Sequence, residues 1–265
     1  MTPRSEKLDP FQTFDNVRTI PIESEKPESQ ATGVKLRHMD FVKNETVNEL
    51  CHELRAPLVS VRSFLEFLRD GCLPPEEVKT LAGLLHCEME RLDKLVSDML
   101  SLARMESGQA SYTYTKSDLN EIAAQCVSVM GIAAKRRNIT LRFEKDSNLP
   151  LVQLAPNRIK QAIINMLDNA LKFSTGGGEI VVSTHNRPNE VCLSVRDFGR
   201  GIEPDNIEKV FSKFERIRMD DDYIGAGLGM PLAKSIIEMG HHGKIWVESE
   251  GLNKGAIFSF SLPKK

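Results

Sequence analysis

Residues 47–68 read VNELCHELRAPLVSVRSFLEFL, and the apolar positions Val47, Cys51, Leu54, Leu58, Val61, Leu65 and Leu68 recur at alternating steps of 4 and 3. That spacing keeps one helical face apolar and is the seam of a coiled coil. Asp70-Gly71 and Pro74-Pro75 then stop this helix and start another, in which Val78, Leu81, Leu85, Leu92, Leu95, Met99 and Leu102 repeat the design. Two helices alone cannot cover both stripes. The hairpin is therefore expected to pair with a second copy into a four-helix bundle, making the chain a homodimer. The opposite face of the first helix carries Glu45, Asn48, Glu49, His52, Arg55, Arg62 and Glu66, which turns the His52 imidazole toward solvent.

A lone exposed histidine is ordinarily just a surface residue. The context of this one is more specific. Glu53 beside it can take the Nδ1 proton and leave Nε2 as a nucleophile. Pro57 stands five residues on, inside the helix, where proline costs about 3 kcal/mol unless a bend is wanted.

Outward from the hairpin, the whole chain is 265 residues with 35 Lys plus Arg against 37 Asp plus Glu, a formal net charge of −2. Near-balanced charge excludes a strongly basic nucleic-acid wrapper, and 6% aromatic content with one tryptophan disfavours base-stacking platforms. A composition that is 40% hydrophobic supports real cores, and the length suggests two domains at about 150 residues each. No run reaches the roughly 18 apolar residues of a membrane span, and no secretion signal opens the chain. The five cysteines are odd in number and never form Cys-x-x-Cys, so a reducing, cytoplasmic setting is expected. Cys51 lies on the seam and reads as core packing rather than a redox sensor. His38, His86, His185, His241 and His242 form no metal spacing and read as surface or turn residues.

Residues 1–33, with four prolines among mixed charges, read as a disordered leader, or, at VRTIPIE, as a remnant of an upstream sensory domain. The hairpin is assigned to 34–108. From 109 to 265 the texture is mixed. Asp118 with Glu121 resembles a capping box opening a helix toward Arg137. Ile139–Lys145 reads as a strand, Pro156–Phe173 as a helix, and Glu179–His185 and Val191–Arg196 as strands. A loop-rich section runs to Gly227, a helix to Gly240, and strands lie at Lys244–Ser249 and Ala256–Leu262. The strands read as antiparallel with helices gathered on one side, a two-layer α/β sandwich. The fold class is thus α+β.

Three motifs in this second domain carry chemistry. In NMLDNALKF, Asn165, Asn169 and Lys172 stand at i, i+4 and i+7 on one helical face. Amide oxygens are hard ligands suited to magnesium, and the lysine can meet phosphate oxygens. Asp197-Phe198-Gly199-Arg200-Gly201 follows a strand, where glycines permit a sharp turn and a buried carboxylate can accept from an exocyclic amine. Gly225-Ala226-Gly227-Leu228-Gly229 opens a helix whose backbone N–H groups can face phosphate, without the Lys-Ser/Thr ending of a P-loop. Taken singly, each is weak: a polar helix face, a turn, a loop.

Together, and in this order, they resemble the sensor histidine kinases of two-component signalling over roughly residues 34–265. HELRAPL resembles that family's H box, NMLDNALKF its N box, DFGRG and GAGLG its glycine boxes, and Phe211 with Phe214 its F box. The resemblance implies a dimerisation and phosphotransfer hairpin followed by a Bergerat-type ATP-binding fold. It implies that Asn169 holds magnesium with support from Asn165, that Phe173 packs near adenine, and that Asp197, with Gly199 and Gly201, reads the adenine amino group. Residues 216–224 correspond to a mobile ATP lid with Arg216 as a phosphate contact and Asp220, Asp221 and Asp222 solvated. Gly225, Gly227, Leu228 and Gly229 would face the phosphates. The cofactors implied are ATP and Mg2+, and the partner is a response-regulator receiver domain, with a sensory domain or partner upstream.

Two positions sharpen the expected chemistry. Related ATPases place a glutamate where Asn165 stands, so hydrolysis should be poor here and the phosphoryl kept for His52. Asp168 as a substitute base would point about 100° away from Asn169. The family often has Thr or Asn four residues after the histidine, whereas Ala56 stands here, implying weak phosphatase activity toward the regulator. His241-His242-Gly243 replaces the usual His-Gly-Gly, a mild departure. A catalytically silent dimeric scaffold and a hydrolytic ATPase are the competing functions.

Overall fold

The computed structural model describes residues 54–55, 57–69, 74–174, 177–213 and 227–264. All belong to one compact unit spanning residues 48–265. His52, Glu53, Ala56, Phe214, Arg216, Gly225, the three lid aspartates and the leader lie outside the described residues.

Helix α1 (57–69) and helix α2 (Pro75–Glu106) carry the two stripes. Proline occupies the first turn of α2, where its missing N–H costs nothing, with Glu76 and Glu77 beside it at the positive end of the dipole. Gly108, at φ +69°, ends the helix by accepting the left-handed conformation. Along α1, Leu58 and Leu65 of the seam are 56% and 54% exposed in the single chain. The C-terminal half of α2 behaves differently. Leu95, Leu102 and Met105 are buried in the same hydrophobic core as the second domain. That half of the stripe is covered from within the chain, so the dimer expectation rests on α1 and on the stripe before it.

Strand β1 (Thr115–Ser117) leads into α3 (Leu119–Arg136), capped by Asp118, whose carboxylate accepts from the Asn120 N–H at 2.7 Å. Then come β2 (Ile139–Glu144), β3 (Val152–Leu154), α4 (Pro156–Phe173), β4 (Gly178–Asn186), β5 (Glu190–Asp197), two short 3-10 turns, α5 (Gly229–His241), β6 (Lys244–Glu248) and β7 (Ala256–Pro263). The main sheet has the order β2-β4-β5-β7-β6, and β1 pairs with β3 apart from it. The expected all-antiparallel sheet needs correction, because β2 runs parallel to β4. The connection between them passes through α4, and a crossover helix returns the chain in the same direction.

The helices bury their apolar faces on this sheet. In α4, Ile159, Ala162, Ile163, Met166 and Ala170 are fully buried at helical spacing, and in β7 Phe258 and Phe260 are buried two apart. The sheet thereby fixes α4 and the end of β5 side by side.

His241 also needs correction: it is buried, not a surface residue. Its Nδ1–H donates to Ile236 O at 2.7 Å and its Nε2 accepts the Ala155 N–H at 2.9 Å. The ring thus joins the end of α5 to the start of α4. Burial pushes its pKa below the ordinary value, and that bonding pattern requires the neutral ring. Tyr112 and Tyr114 stack on each other and set their rings edge-on to it. Among the described residues no helix is long and apolar enough to cross a membrane, and no cluster of His, Cys, Asp or Glu could hold a metal.

Candidate active site

Asp197 ends β5 and is 3% exposed. Its Oδ1 accepts the N–H groups of Gly199 at 3.0 Å and Ala256 at 3.3 Å. Both bonds fall on one oxygen, and among the described residues none reaches Oδ2. Burial pushes the carboxyl up, against the two backbone donors that pull it down. An oriented, desolvated acceptor with one oxygen unspent suits a ligand N–H.

The turn after it is held against the end of α4. Arg200 N–H donates to Phe173 O at 3.2 Å. A Cβ on Gly199 would stand 2.1 Å from that same carbonyl oxygen, and one on Gly201 would stand 2.0 Å from Gly251 O. Close backbone approach therefore requires both glycines, and Gly201 also holds a left-handed φ of +70°. Phe173 is half-buried with the Arg200 guanidinium 5.7 Å from its ring centre, and Ser174 Oγ beside it is buried without a partner among the described residues.

Across the site, the buried Asn165 donates its Nδ2–H to Gly229 O at 3.0 Å. This bond ties α4 to the first residue of α5 and leaves Asn165 Oδ1 available. Leu228, buried, precedes that helix, and no side chain caps it, so its first-turn N–H groups are left for another acceptor. Gly227 sits at φ +65° at the mouth of this turn. Asn169 and Lys172 are half-buried on the next turns of α4.

One pairing was not legible in the sequence. Lys172 Nζ lies 2.8 Å from Asp168 Oδ2, and the same oxygen receives Lys94 Nζ of α2 at 3.1 Å. Burial acts to raise the Asp168 carboxyl, but the two ammonium groups outweigh it and hold it below the ordinary range. Asp168 is therefore an ion-pair partner, not a base. Along α4, Asn165 bonds to the first residue of α5 and Phe173 to the turn after β5, with Asn169 and Lys172 between them on the same helix. The remaining sequence-derived site residues lie outside the described residues.

Comparison with known proteins agrees with this geometry. Residues 42–108 match the His Kinase A (phospho-acceptor) domain, and residues 155–265 match the histidine kinase-, DNA gyrase B-, and HSP90-like ATPase family. The catalytic domain of histidine kinase ThkA is 32% identical, with a TM-score of 0.51, over 57% of this chain and 98% of that one. The chain belongs to the sensor histidine kinase family. ThkA solved in complex with the response regulator protein TrrA superposes on this family member with a TM-score of 0.69 at 25% identity, over 91% of this chain and 68% of that one. The adaptive-response sensory kinase SasA of Thermosynechococcus vestitus is 31% identical over 229 residues, 83% of this chain and 60% of that protein. Curated histidine kinase relatives are longer. This chain spans 60% of SasA and 36% of the sensor-like histidine kinase ycf26 of Pyropia yezoensis, with which it shares 34% identity over 84% of its own length.

Proposed function

We propose that the chain is an ATP-dependent protein-histidine kinase core that phosphorylates its own His52 and passes the phosphoryl group to an aspartate of a response regulator. One observation carries the choice of transfer over hydrolysis. The buried side chain at position 165 donates a hydrogen bond to Gly229 O, a role an amide can fill and a carboxylate cannot. That location is built for an amide, so it holds no base to activate water.

In this reading Asp197 Oδ2 accepts the adenine amino group while Phe173, Gly199 and Gly201 border the base. Lys172 and the uncapped N-terminus of α5, with Gly225, Gly227, Leu228 and Gly229, hold the phosphates, and Phe214 and Arg216 add contacts to the nucleotide. Asn169, supported by Asn165 Oδ1, would hold magnesium, and the hard amide oxygens fit that ion. Magnesium, when bound, supplies neutralisation of phosphate charge. Glu53 takes the Nδ1 proton of His52 and leaves Nε2 to attack the γ-phosphorus in line, as the bond from that phosphorus to the β,γ-bridging oxygen breaks and ADP leaves with the electron pair. Ala56 supplies neither hydroxyl nor amide to orient water, so regulator dephosphorylation is weak.

The hairpin works as a homodimer. The family's phospho-acceptor domain supports this, as do the exposed leucines of α1. The domain limits 34–108 and 109–265 and a cytoplasmic site of action belong to the same reading. Incubation with γ-labelled ATP tests it. Wild type should acquire acid-labile, alkali-stable label, and His52→Ala and Asn169→Ala should not. An unlabelled wild type would point to a silent scaffold.

A further inference from the structure

Lys94 belongs to the hairpin, 74 residues before Asp168, and it is the hairpin's ionic contact with the N-box helix. It lands on the same carboxylate oxygen as Lys172. Asp98, one turn further along α2, is buried within electrostatic range of Lys94, Asp168 and Lys172. Four charges from two domains therefore meet beside the residues that face the nucleotide. A second ionic contact, Lys213 with Glu106, joins the last described residue before the lid to the end of α2.

We propose that Lys94 is a positioning residue of the nucleotide site, acting through Asp168 on Lys172, so that the hairpin and the triphosphate bind the ATP domain cooperatively. This rests on the nucleotide-site reading above. Two ammonium groups on one oxygen repel each other. A phosphate oxygen that draws on Lys172 relieves that repulsion and leaves Asp168 to Lys94, which strengthens the contact with α2. By linkage, the contact strengthens phosphate binding to the same degree. Without Lys94, Asp168 neutralises Lys172 alone, and phosphate must compete with it for the whole of the lysine's charge. The effect belongs to the phosphates and not to the base, because Asp197 ends β5 and none of these four charges acts on its carboxyl.

The test is titration of the full chain with a non-hydrolysable ATP analogue and, separately, with adenosine. Lys94→Ala should weaken the analogue about five- to tenfold, a coupling of ordinary size, leave adenosine unchanged within twofold, and be largely rescued by Lys94→Arg. In an Asp168→Asn background the Lys94→Ala effect should shrink to within twofold. Lys94 is half exposed and its replacement leaves no cavity, so folding is preserved. Equal analogue affinity of wild type and Lys94→Ala would overturn the coupling, and so would an equal loss for adenosine. If the wild type binds neither ligand, the nucleotide-site reading itself fails.

Discussion

At the residue scale, Asp197 shows how a short motif gains meaning from its surroundings. Asp-x-Gly-x-Gly in a sequence is usually a turn. Here the aspartate is buried, one oxygen is consumed by two backbone donors, and the glycines are forced by carbonyl oxygens about 2 Å from where their Cβ atoms would stand. In Asp197→Asn the oxygen would stay on the backbone donors and the amide N–H would face the ligand amine, donor against donor. Nucleotide affinity should fall about 10- to 100-fold, the worth of a hydrogen bond to a charged group. Thermal stability should hold or rise, because a desolvated charge has been removed. Calorimetry and a melting curve on the same variant check both halves. His241 gives a pH prediction. Its folded pKa is lowered by burial, so its contribution to stability is fully present above about pH 6.5 and is lost as the pH falls below that value. Denaturant titrations at pH 7.5 and 5.5 should show the loss in wild type and a flatter profile in His241→Gln.

At the scale of the element, the helix-to-strand turn after α5 carries the departure from His-Gly-Gly. His242 caps α5 at φ 54°, a left-handed conformation that costs a side chain roughly 1–2 kcal/mol, part of which glycine gives back in unfolded-state entropy. His242→Gly should therefore stabilise the chain by about 0.5–1 kcal/mol. The neighbouring Gly243→Ala should destabilise it by about 2 kcal/mol or more, because its Cβ would lie 2.1 Å from Ser261 O. Chemical denaturation of the pair separates the two effects. Helix α4 was readable in full, since Pro156 opens it and its apolar period is unbroken to Phe173. Strand direction was not, because alternation in β2 is the same whichever way its neighbour runs, and only the crossover through α4 decides it. The short strands β1 and β3 were missed for a related reason. Three residues each carry too little pattern, and their pairing spans the whole of α3 and β2.

At the scale of the whole molecule, the seam read from the first helix and the surface found in the structure agree along α1 and part company along the end of α2. Leu95, Leu102 and Met105 continue the apolar pattern but are spent on the second domain's core. Periodicity says that a face is buried and not what buries it. The same limit hid His241, whose partner Ala155 is 86 residues away, and Lys94, whose partner is 74 away. Leu65, half exposed in the single chain, is a test of what α1 does. Leu65→Asp should remove about 1–1.5 kcal/mol of apolar burial per protomer and shift sedimentation toward monomer. An unchanged sedimentation coefficient at micromolar concentration would count against the bundle.

In the proposed reaction the site commits ATP to a histidine and not to water. The most direct measurement is a single-turnover reaction with γ-labelled ATP, in which phosphate bound to the protein and phosphate released are counted together. Label should appear on His52 ahead of free phosphate and disappear in His52→Ala. Steady phosphate release with no protein-bound label, surviving His52→Ala, would contradict it.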